Sequence, residues 1–92
     1  MDHEQSKSSN IYSMGYDPNG QQLEIRFRCA GCRGTGAADS GERCKKCEGA
    51  GFNATYTYRE FPPVEFDRFR LAESHGAHFA ARIRGKYEFT KR

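Results

Sequence analysis

The sequence contains no tryptophan and no long hydrophobic run. Hydrophobic residues make up 36% of the chain and charged residues 29%, so no stretch approaches the roughly 20 apolar residues of a membrane span. The first ten residues, MDHEQSKSSN, lack the apolar stretch and cleavage site of a secretory signal. These absences predict a cytoplasmic protein with no membrane partner and with reduced thiols. Residues 1–10 are predicted to form a disordered arm.

Basic residues are concentrated after the first quarter of the chain. Residues 1–25 contain one Lys and four acidic residues, whereas residues 26–92 contain fourteen Lys and Arg and eight acidic residues. The formal net charge is +3, and a zinc ion held by four thiolates would contribute about −2. The sequence pI of 8.8 is therefore only mild evidence for an anionic partner.

Cysteine is absent except in one segment, CAGCRGTGAADSGERCKKCEGAG, which begins at residue 29. Two C-x-x-C pairs are separated by eleven residues, and each pair continues as C-x-x-C-x-G-x-G. This spacing allows two chain knuckles to supply four sulfurs to one tetrahedral zinc ion. The glycines permit the positive φ that turns backbone N–H groups toward the thiolates. The predicted ligands of a single structural zinc are Cys29, Cys32, Cys44 and Cys47.

Three other interpretations of the cysteines remain: disulfides, a redox pair and unligated thiols. Disulfides require an oxidising compartment, which the N-terminal sequence does not support. A thioredoxin-like redox pair would occur once, at the start of a helix and without trailing glycines. Four cysteines fill a tetrahedral site and leave no position for a water molecule, so a structural role is favoured over a catalytic one.

The repeats CAGCRGTG and CKKCEGAG resemble the cysteine-rich zinc module of the DnaJ chaperone family, in which four such repeats hold two zinc ions. Two repeats are present here, so the resemblance implies half of that module with one zinc. The J-domain and its His-Pro-Asp signature are absent from the sequence. The resemblance therefore implies a zinc finger without a full co-chaperone role.

Outside the cysteine segment, the sequence alternates in the manner of strands. IYSMGY and LEIRFR flank DPNG, whose Pro and Asn-Gly favour a turn, so residues 11–28 are predicted to form a hairpin. In LEIRFR, apolar residues alternate with charged ones, which indicates one buried face. FNATYTYREF, from residue 52, is predicted to contain a third strand. The cysteine segment, residues 29–52, is thus inserted between the second and third strands.

The C-terminal part of the sequence is typical of helices. FPP at residues 61–63 ends the sheet, because Pro cannot donate to a strand ladder and suits the first turn of a helix. VEFDRFRLAE has Phe66 and Phe69 at helical spacing, and Ser74 is the predicted N-cap of a second short helix that ends near Gly85. The prediction is an α+β fold, with a three-stranded antiparallel sheet packed against two C-terminal helices.

The chain without its insert resembles the KTSC domain, a module of small bacterial and phage proteins and of the C-terminus of some lysyl-tRNA synthetases. The resemblance implies that residues 11–92 are a single KTSC-like domain carrying the zinc finger in place of a short hairpin turn. An RNA-binding role is implied by the synthetase context. The matching features are the first hairpin, Tyr56 and Tyr58 as Y-x-Y, Pro62-Pro63, Ala72, Ser74 and Gly76 as A-x-S-x-G, Phe79, and the I-R-G-K-Y of residues 83–87.

Basic and aromatic residues favour a small zinc-stabilised module that binds RNA or another nucleic acid. Lys and Arg side chains can neutralise phosphates, and tyrosine rings can stack on unpaired bases at about 1–3 kcal/mol each. Two alternatives remain: the tyrosines close the core, and the basic side chains are simply solvated. His75 and His78 are interpreted as ordinary surface histidines. The candidate nucleic-acid contacts are Arg82, Arg84, Lys86, Tyr56, Tyr58, Tyr87, Lys45 and Lys46.

The alternative is a protein-interaction or regulatory module, an inhibitor or adaptor that uses the zinc finger and binds no nucleic acid. This alternative is implied by a resemblance to small two-repeat DnaJ-like zinc proteins, which inhibit an RNA-binding partner. Phosphate contacts predict RNA binding that weakens steeply with salt, whereas a protein interface does not. The sequence shows no nucleophile with its base, no open metal site and no phosphate loop, so neither an enzyme nor a small-molecule substrate is expected.

Overall fold

The computed structural model describes residues 3–6, 8, 10–29, 31–38 and 40–91. Its strands form one antiparallel sheet whose order follows the chain, β1-β2-β3-β4-β5. Two helices lie between β4 and β5 in the sequence. The elements are β1 (His3–Gln5), β2 (Ile11–Asp17), β3 (Gln22–Arg28), β4 (Phe52–Tyr58), α1 (Pro63–Arg70), α2 (His75–Arg82) and β5 (Phe89–Lys91).

The α+β class is confirmed, and the central hairpin forms as predicted. Strands β2 and β3 pair in register from Met14 opposite Ile25 to Asp17 opposite Gln22. The Asp17 carboxylate accepts a hydrogen bond from the Asn19 backbone N–H at 3.0 Å, which closes the turn. Strand β4 then pairs with β3 on its other side, and the cysteine segment joins the two.

The prediction of three strands is wrong, because the part of the chain that the structure describes forms a sheet of five strands. The two additional strands are the outer ones, each three residues long. Their short segments show no clear apolar alternation, which explains why the sequence pattern did not reveal them.

The N-terminal arm also needs correction. Residues 1–10 were predicted to be disordered, whereas His3–Gln5 pairs with Gly15 to Ser13 of β2. The His3 ring hydrogen-bonds to Ser13 Oγ at 2.8 Å and to the Glu24 carboxylate at 2.6 Å, so polar side-chain contacts fix a strand that lacks apolar residues. Met1, Asp2, Lys7 and Ser9 belong to that prediction but lie outside the described residues.

The hydrophobic core lies between the two helices and one face of the sheet. Alternate residues of β2, β3 and β4 supply this face, which agrees with the pattern of LEIRFR. Helix α1 contributes Phe69, and the residue after α2 contributes Ile83. The buried members of the core are Ile11, Met14, Leu23, Ile25, Tyr58, Phe61, Phe69 and Ile83.

Both helices begin as the sequence predicts. Helix α1 starts at Pro63, after Pro62 in extended conformation. Ser74 caps α2 by accepting a hydrogen bond from the Ala77 N–H at 3.2 Å. Each helix has eight residues, and within the described residues no helix is long and apolar enough to cross a bilayer.

Candidate metal centre and aromatic groove

The cysteine segment extends directly from the paired ends of β3 and β4. After Arg28 pairs with Phe52, the Cys29 N–H donates to the Gly51 carbonyl at 2.9 Å, so the strand ladder continues into the segment. At its far end, Ala37 bridges to Arg43 as a small antiparallel hairpin. We call residues 29–51 the metal module. Its position as an insert between neighbouring strands agrees with the sequence prediction.

The four thiols of the metal module meet in one buried cluster. Each cysteine is at most 7% exposed, and all four sulfur atoms lie within 4.8 Å of one another. None of the four forms a disulfide. The sulfur–sulfur separations are 3.8 Å between Cys29 and Cys44 and 3.6 Å between Cys32 and Cys47, far longer than the ~2.05 Å of a disulfide.

The two repeats adopt the same backbone conformation. In the first repeat, the φ angles of Arg33, Gly34 and Gly36 are 56°, 86° and 80°. In the second, Glu48, Gly49 and Gly51 have φ angles of 56°, 85° and 88°. The last glycine of each repeat donates its N–H to the sulfur of the second cysteine at 3.3 Å. The duplication in sequence is thus a duplication in structure.

The repeats also bind each other through their backbones. The Cys44 N–H donates to the Gly36 carbonyl at 2.9 Å, as the Cys29 N–H does to Gly51. A Cβ added at Gly36 would lie 2.5 Å from the Gly49 carbonyl oxygen, and one at Gly51 would lie 2.8 Å from the Gly34 oxygen. Glycine is therefore required at these positions both for positive φ and for the close approach of the two loops.

The electrostatics of the cluster favour one thiolate first. Burial opposes ionisation of Cys32, but hydrogen bonds from the Gly36 backbone and the Cys47 thiol outweigh it and lower the pKa of Cys32 to about 6. Burial raises the pKa of Cys29 to about 11. Four ionised sulfurs this close together need a cation between them, because unpaired buried charge is costly. The cluster therefore fits a metal ion that all four cysteines hold in a closed, structural site.

The metal module is joined to the N-terminal segment through Arg28 and to β2 through Tyr12. The Arg28 guanidinium donates to the Ser6 and Ser8 carbonyls at 2.6 and 2.8 Å. A Cβ at Gly34 would lie 2.4 Å from the Arg28 guanidinium, so this side chain runs along the first repeat. Tyr12 reaches Gly51 and packs against Phe52 with 5.3 Å between ring centroids. The N-terminal segment and the module thus share a junction.

A second feature lies on the helix side of the sheet, where five aromatic rings border a concavity of about 450 Å³. Tyr56 stacks on Phe89 with ring centroids 5.1 Å apart and an interplanar angle of 19°. Phe27 meets both Tyr56 and Phe79 edge-on, at 5.2 and 5.4 Å. We call this concavity the aromatic groove. Its lining residues are Phe27, Ala54, Tyr56, Tyr58, Phe79, Arg84, Gly85 and Phe89.

Cationic groups flank the aromatic groove. Arg84 lines it, and the Lys91 Nζ lies 5.8 Å from the centre of the Tyr56 ring. Phe89 is 47% exposed, so its ring is accessible from solvent. Among the described residues that line the groove, none is acidic. The arrangement combines accessible ring surface with positive charge, as sites for unpaired bases do.

Comparison with known proteins gives the family. The KTSC domain model matches residues 52–87. A crystal structure of a KTSC domain protein from Yersinia pestis is similar to this chain, with a TM-score of 0.69 and 30% identity, over 99% of this chain and 96% of that one. The chain belongs to the KTSC domain family. The comparison with curated proteins found no match.

The two matches cover different parts of this KTSC chain. The family model begins at residue 52, immediately after the metal module. The structural match, by covering 99% of the chain, extends through the module and the first strands. The KTSC resemblance predicted from the sequence is confirmed, and the β4–α1–α2 segment carries the family signature.

The structure separates the residues that were predicted together as nucleic-acid contacts. Tyr56 and Arg84 line the aromatic groove. Tyr58 also lines it but is 2% exposed, and burial raises the pKa of its hydroxyl to about 12, so its place in the core prevails. Tyr87 packs on Phe61 with ring centroids 4.7 Å apart, away from the groove lining.

The remaining predicted contacts lie elsewhere on the KTSC domain. Lys86 lines a separate hollow that also contains Glu60 and Glu88. Lys45 and Lys46 border another hollow, within the metal module. Arg82 is exposed in the last turn of α2. None of these four side chains lines the aromatic groove with Tyr56 and Arg84.

Three ring-bearing positions of the groove were missed by sequence reasoning: Phe27, Phe79 and Phe89. The place of Phe27 in the groove could have been predicted, because Phe27 continues the apolar face of β3 that the alternation indicates. Phe27 is near the end of that strand, where it is only partly buried against the core. The place of Phe89 could not be predicted, since it depends on β5 pairing with β4 opposite Tyr58.

Proposed function

We propose that this KTSC chain is a zinc-stabilised module that binds single-stranded RNA in the aromatic groove. The observation that carries the proposal is the groove itself, with stacked, partly exposed rings beside Arg84 and Lys91 and no acidic residue among its described lining. Stacking on such rings is tolerant of base identity, and the cations attract the phosphate backbone. The function proposed is therefore binding, without catalysis.

The proposal assigns the metal as one structural zinc ion in a DnaJ-like zinc finger. A tetrahedral ion with Zn–S distances of about 2.3 Å separates its sulfur ligands by about 3.8 Å, and the observed separations are 3.8 and 3.6 Å. Four thiolates with N–H donors behind them are a ligand set that zinc prefers. Such a site requires reduced thiols, which is consistent with a cytoplasmic location.

A fluorescence-anisotropy titration with a labelled oligouridylate tests RNA binding. We expect saturable binding at low salt that weakens as salt rises, with a slope of about −0.7 in log affinity per phosphate contact. Phe89→Ala should reduce affinity about 5- to 150-fold, corresponding to about 1–3 kcal/mol for one stacking platform. Leu71→Ala is the matched control, because Leu71 is 74% exposed and lies outside the groove lining. Flat anisotropy at low salt would rule out the proposal.

A protein partner is the second candidate, and one observation favours it. Strand β5 is an outer strand of the sheet and bears the exposed Phe89. An extended peptide could pair with this edge and place an apolar side chain against Phe89. In this case the module would act as an inhibitor or adaptor, the titration with RNA would stay unsaturated, and Phe89→Ala would weaken capture of the protein partner instead.

A further inference from the structure

A second concavity, which we call the basic cleft, lies between α2 and the first cysteine repeat. Its volume is about 640 Å³. Ile11, Phe27 and Phe79 form apolar parts of its lining, and Arg33 and Arg84 contribute guanidinium groups. Arg33 directly follows Cys32, so one wall of the cleft belongs to the metal module.

The basic cleft and the aromatic groove are neighbours that share three residues. Phe27, Phe79 and Arg84 line both concavities. The rings of Phe27 and Phe79 meet edge-on at 5.4 Å, so they form the divide between the two. A ligand that stacks in the groove can therefore continue past this divide into the cleft.

Charge distinguishes these two concavities from the others. Among the described residues lining the cleft, as with the groove, none is acidic. Three further hollows contain glutamates: Glu4 and Glu73 in one, Glu60 and Glu88 in another, and Glu42 in the third. Of these five concavities, the joined pair alone offers an extended anion a lining that has arginine and no acidic residue.

The arginines of the cleft have different roles. The Arg28 guanidinium is engaged with the Ser6 and Ser8 carbonyls, so it serves the protein's own structure. Arg33 and Arg84 are exposed, and neither forms an ion pair with another residue in the described part of the chain. These two guanidinium groups are therefore available to a ligand phosphate, to which arginine binds through two parallel hydrogen bonds.

We infer that one strand of RNA runs from the aromatic groove into the basic cleft and that Arg33 of the metal module binds one of its phosphates. This inference rests on the proposed function and adds a contact to it. The metal module then has a second role beside stability, because the closed cluster fixes the knuckle from which Arg33 projects. Lys45 and Lys46, on the other knuckle, are not part of this path.

The internal duplication provides a sharp test of position. Arg33 and Glu48 are equivalent residues of the two repeats and have the same φ of 56°. Glu48 does not line the cleft. Exchanging them in the variant Arg33→Glu/Glu48→Arg keeps the net charge and composition, and it places each new side chain in a backbone conformation that its counterpart already adopts.

The titration with labelled oligouridylate is repeated with zinc-loaded wild-type protein, the exchange variant and Phe89→Ala. We expect the exchange variant to bind about tenfold more weakly, with a salt slope shallower by about 0.7 because one phosphate contact is lost. Lys45→Asn, which removes one positive charge from the same module outside the cleft, should leave affinity within about twofold and the slope unchanged.

The outcomes separate the inference from the proposed function. If wild-type protein does not bind, the proposed function fails and the inference fails with it. If wild-type protein binds, Phe89→Ala weakens binding and the exchange variant matches wild type, the function stands and the inference is overturned. Zinc content is measured for each variant. Should the exchange variant lose zinc, Arg33→Asn replaces it, since Asn tolerates positive φ, and unchanged affinity of that variant overturns the inference.

Discussion

The two parts of the molecule are held together by different forces. In the sheet-and-helix body, eight core residues bury large side chains, among them Phe61 and Phe69. In the metal module, no apolar side chain larger than alanine occurs between the cysteines and glycines. Burial of apolar surface stabilises the body. The module has no such core and relies on its thiols, its backbone hydrogen bonds and a bound metal, together with its contacts to Arg28 and Tyr12.

This contrast explains the local chemistry of each part. The body tolerates polar and charged residues on the outer face of β3, because the inner face alone provides its stability. The module instead requires particular residues at particular positions: sulfurs that converge, and glycines where the chain has positive φ. We therefore expect the module to respond to metal and the body to respond to side-chain volume.

Loss of the metal should have the largest effect of the changes considered. The resulting unfolding should be confined to the metal module. In Cys44→Ser, or after chelation, we expect the loss of about 10–16 kcal/mol of metal-binding free energy. NMR amide signals of residues 31–51 should collapse toward random-coil positions, while those of Leu23 and Ile25 stay dispersed. Zinc content should fall from one per chain to none.

Ser40→Ala is the control for this experiment, because Ser40 is exposed between the two repeats and outside the sulfur cluster. It should retain one zinc and an unchanged spectrum. Dispersed signals of residues 31–51 in the metal-free protein would show that the module does not depend on the metal. Collapse of the Leu23 and Ile25 signals would contradict the contrast between the two parts in another way, because it would show that the body also depends on the metal.

Removal of a core ring should affect the body next. Phe69 is fully buried, so Phe69→Ala should lower the free energy of unfolding by about 3–5 kcal/mol. Leu71, two residues later, is 74% exposed, so Leu71→Ala should cost within about 0.5 kcal/mol. Urea denaturation followed by far-UV circular dichroism gives both values. Equal midpoints for the two variants would contradict the assignment of Phe69 to the core.

The sequence could predict the parts of the fold that depend on local pattern. The β2–β3 hairpin follows from DPNG and the alternation beside it, and the N-cap of α2 follows from Ser74. The clustering of the four cysteine sulfurs follows from the repeated C-x-x-C-x-G-x-G spacing. In each case the information lies within a few residues of the feature.

The parts that depend on distant pairing could not be predicted in this way. Strand β1 forms because His3 reaches Ser13 and Glu24, which are ten and twenty-one residues away. The aromatic groove forms because β5 brings Phe89 beside Tyr56. Tyr56 and Tyr58 look equivalent in the sequence, yet Tyr58 is covered by the core and Tyr56 lies at its margin. Composition concentrates basic residues in residues 26–92 but cannot show that Arg33, on the insert, lines the same cleft as Arg84.

A smaller effect tests whether the two repeats must touch. Gly36→Ala introduces a Cβ 2.5 Å from the Gly49 oxygen, in addition to the cost of positive φ in a non-glycine residue. Gly41 has a φ of 87° but nothing within 4 Å, so Gly41→Ala carries the backbone cost alone. We expect about 2–4 kcal/mol of lost zinc-binding free energy for Gly36→Ala and about 1–2 kcal/mol for Gly41→Ala. Competition with a chromophoric chelator measures the zinc affinity of both variants. Equal losses would show that the contact between the repeats does not contribute to zinc binding.

The smallest effect concerns the seam between the body and the N-terminal strand. The Ser6 hydroxyl donates to His75 Nδ1 at 2.6 Å, and His75 Nε2 donates to the Arg70 carbonyl at 3.0 Å. His78, one turn later, packs on Phe69 much as His75 does, with centroid distances of 5.6 and 5.5 Å, and it has no side-chain hydrogen bond within the described residues. The two histidines therefore differ in two side-chain hydrogen bonds, to Ser6 and to the Arg70 carbonyl, which only His75 makes.

His75→Ala should cost about 1 kcal/mol more than His78→Ala, because the buried Ser6 hydroxyl loses its acceptor and the Arg70 carbonyl loses a donor, while the lost ring packing is similar. Hydrogen exchange localises the effect: the Ser6 N–H, which donates to the Tyr12 carbonyl at 3.1 Å, should lose protection only in His75→Ala. Since Arg28 joins Ser6 to the start of the metal module, that loosening should extend to the Cys29 N–H if the module relies on this seam. Unchanged protection at the Cys29 N–H would show that the metal secures the module without help from this seam. The body would then depend on its apolar core alone and the module on its metal alone.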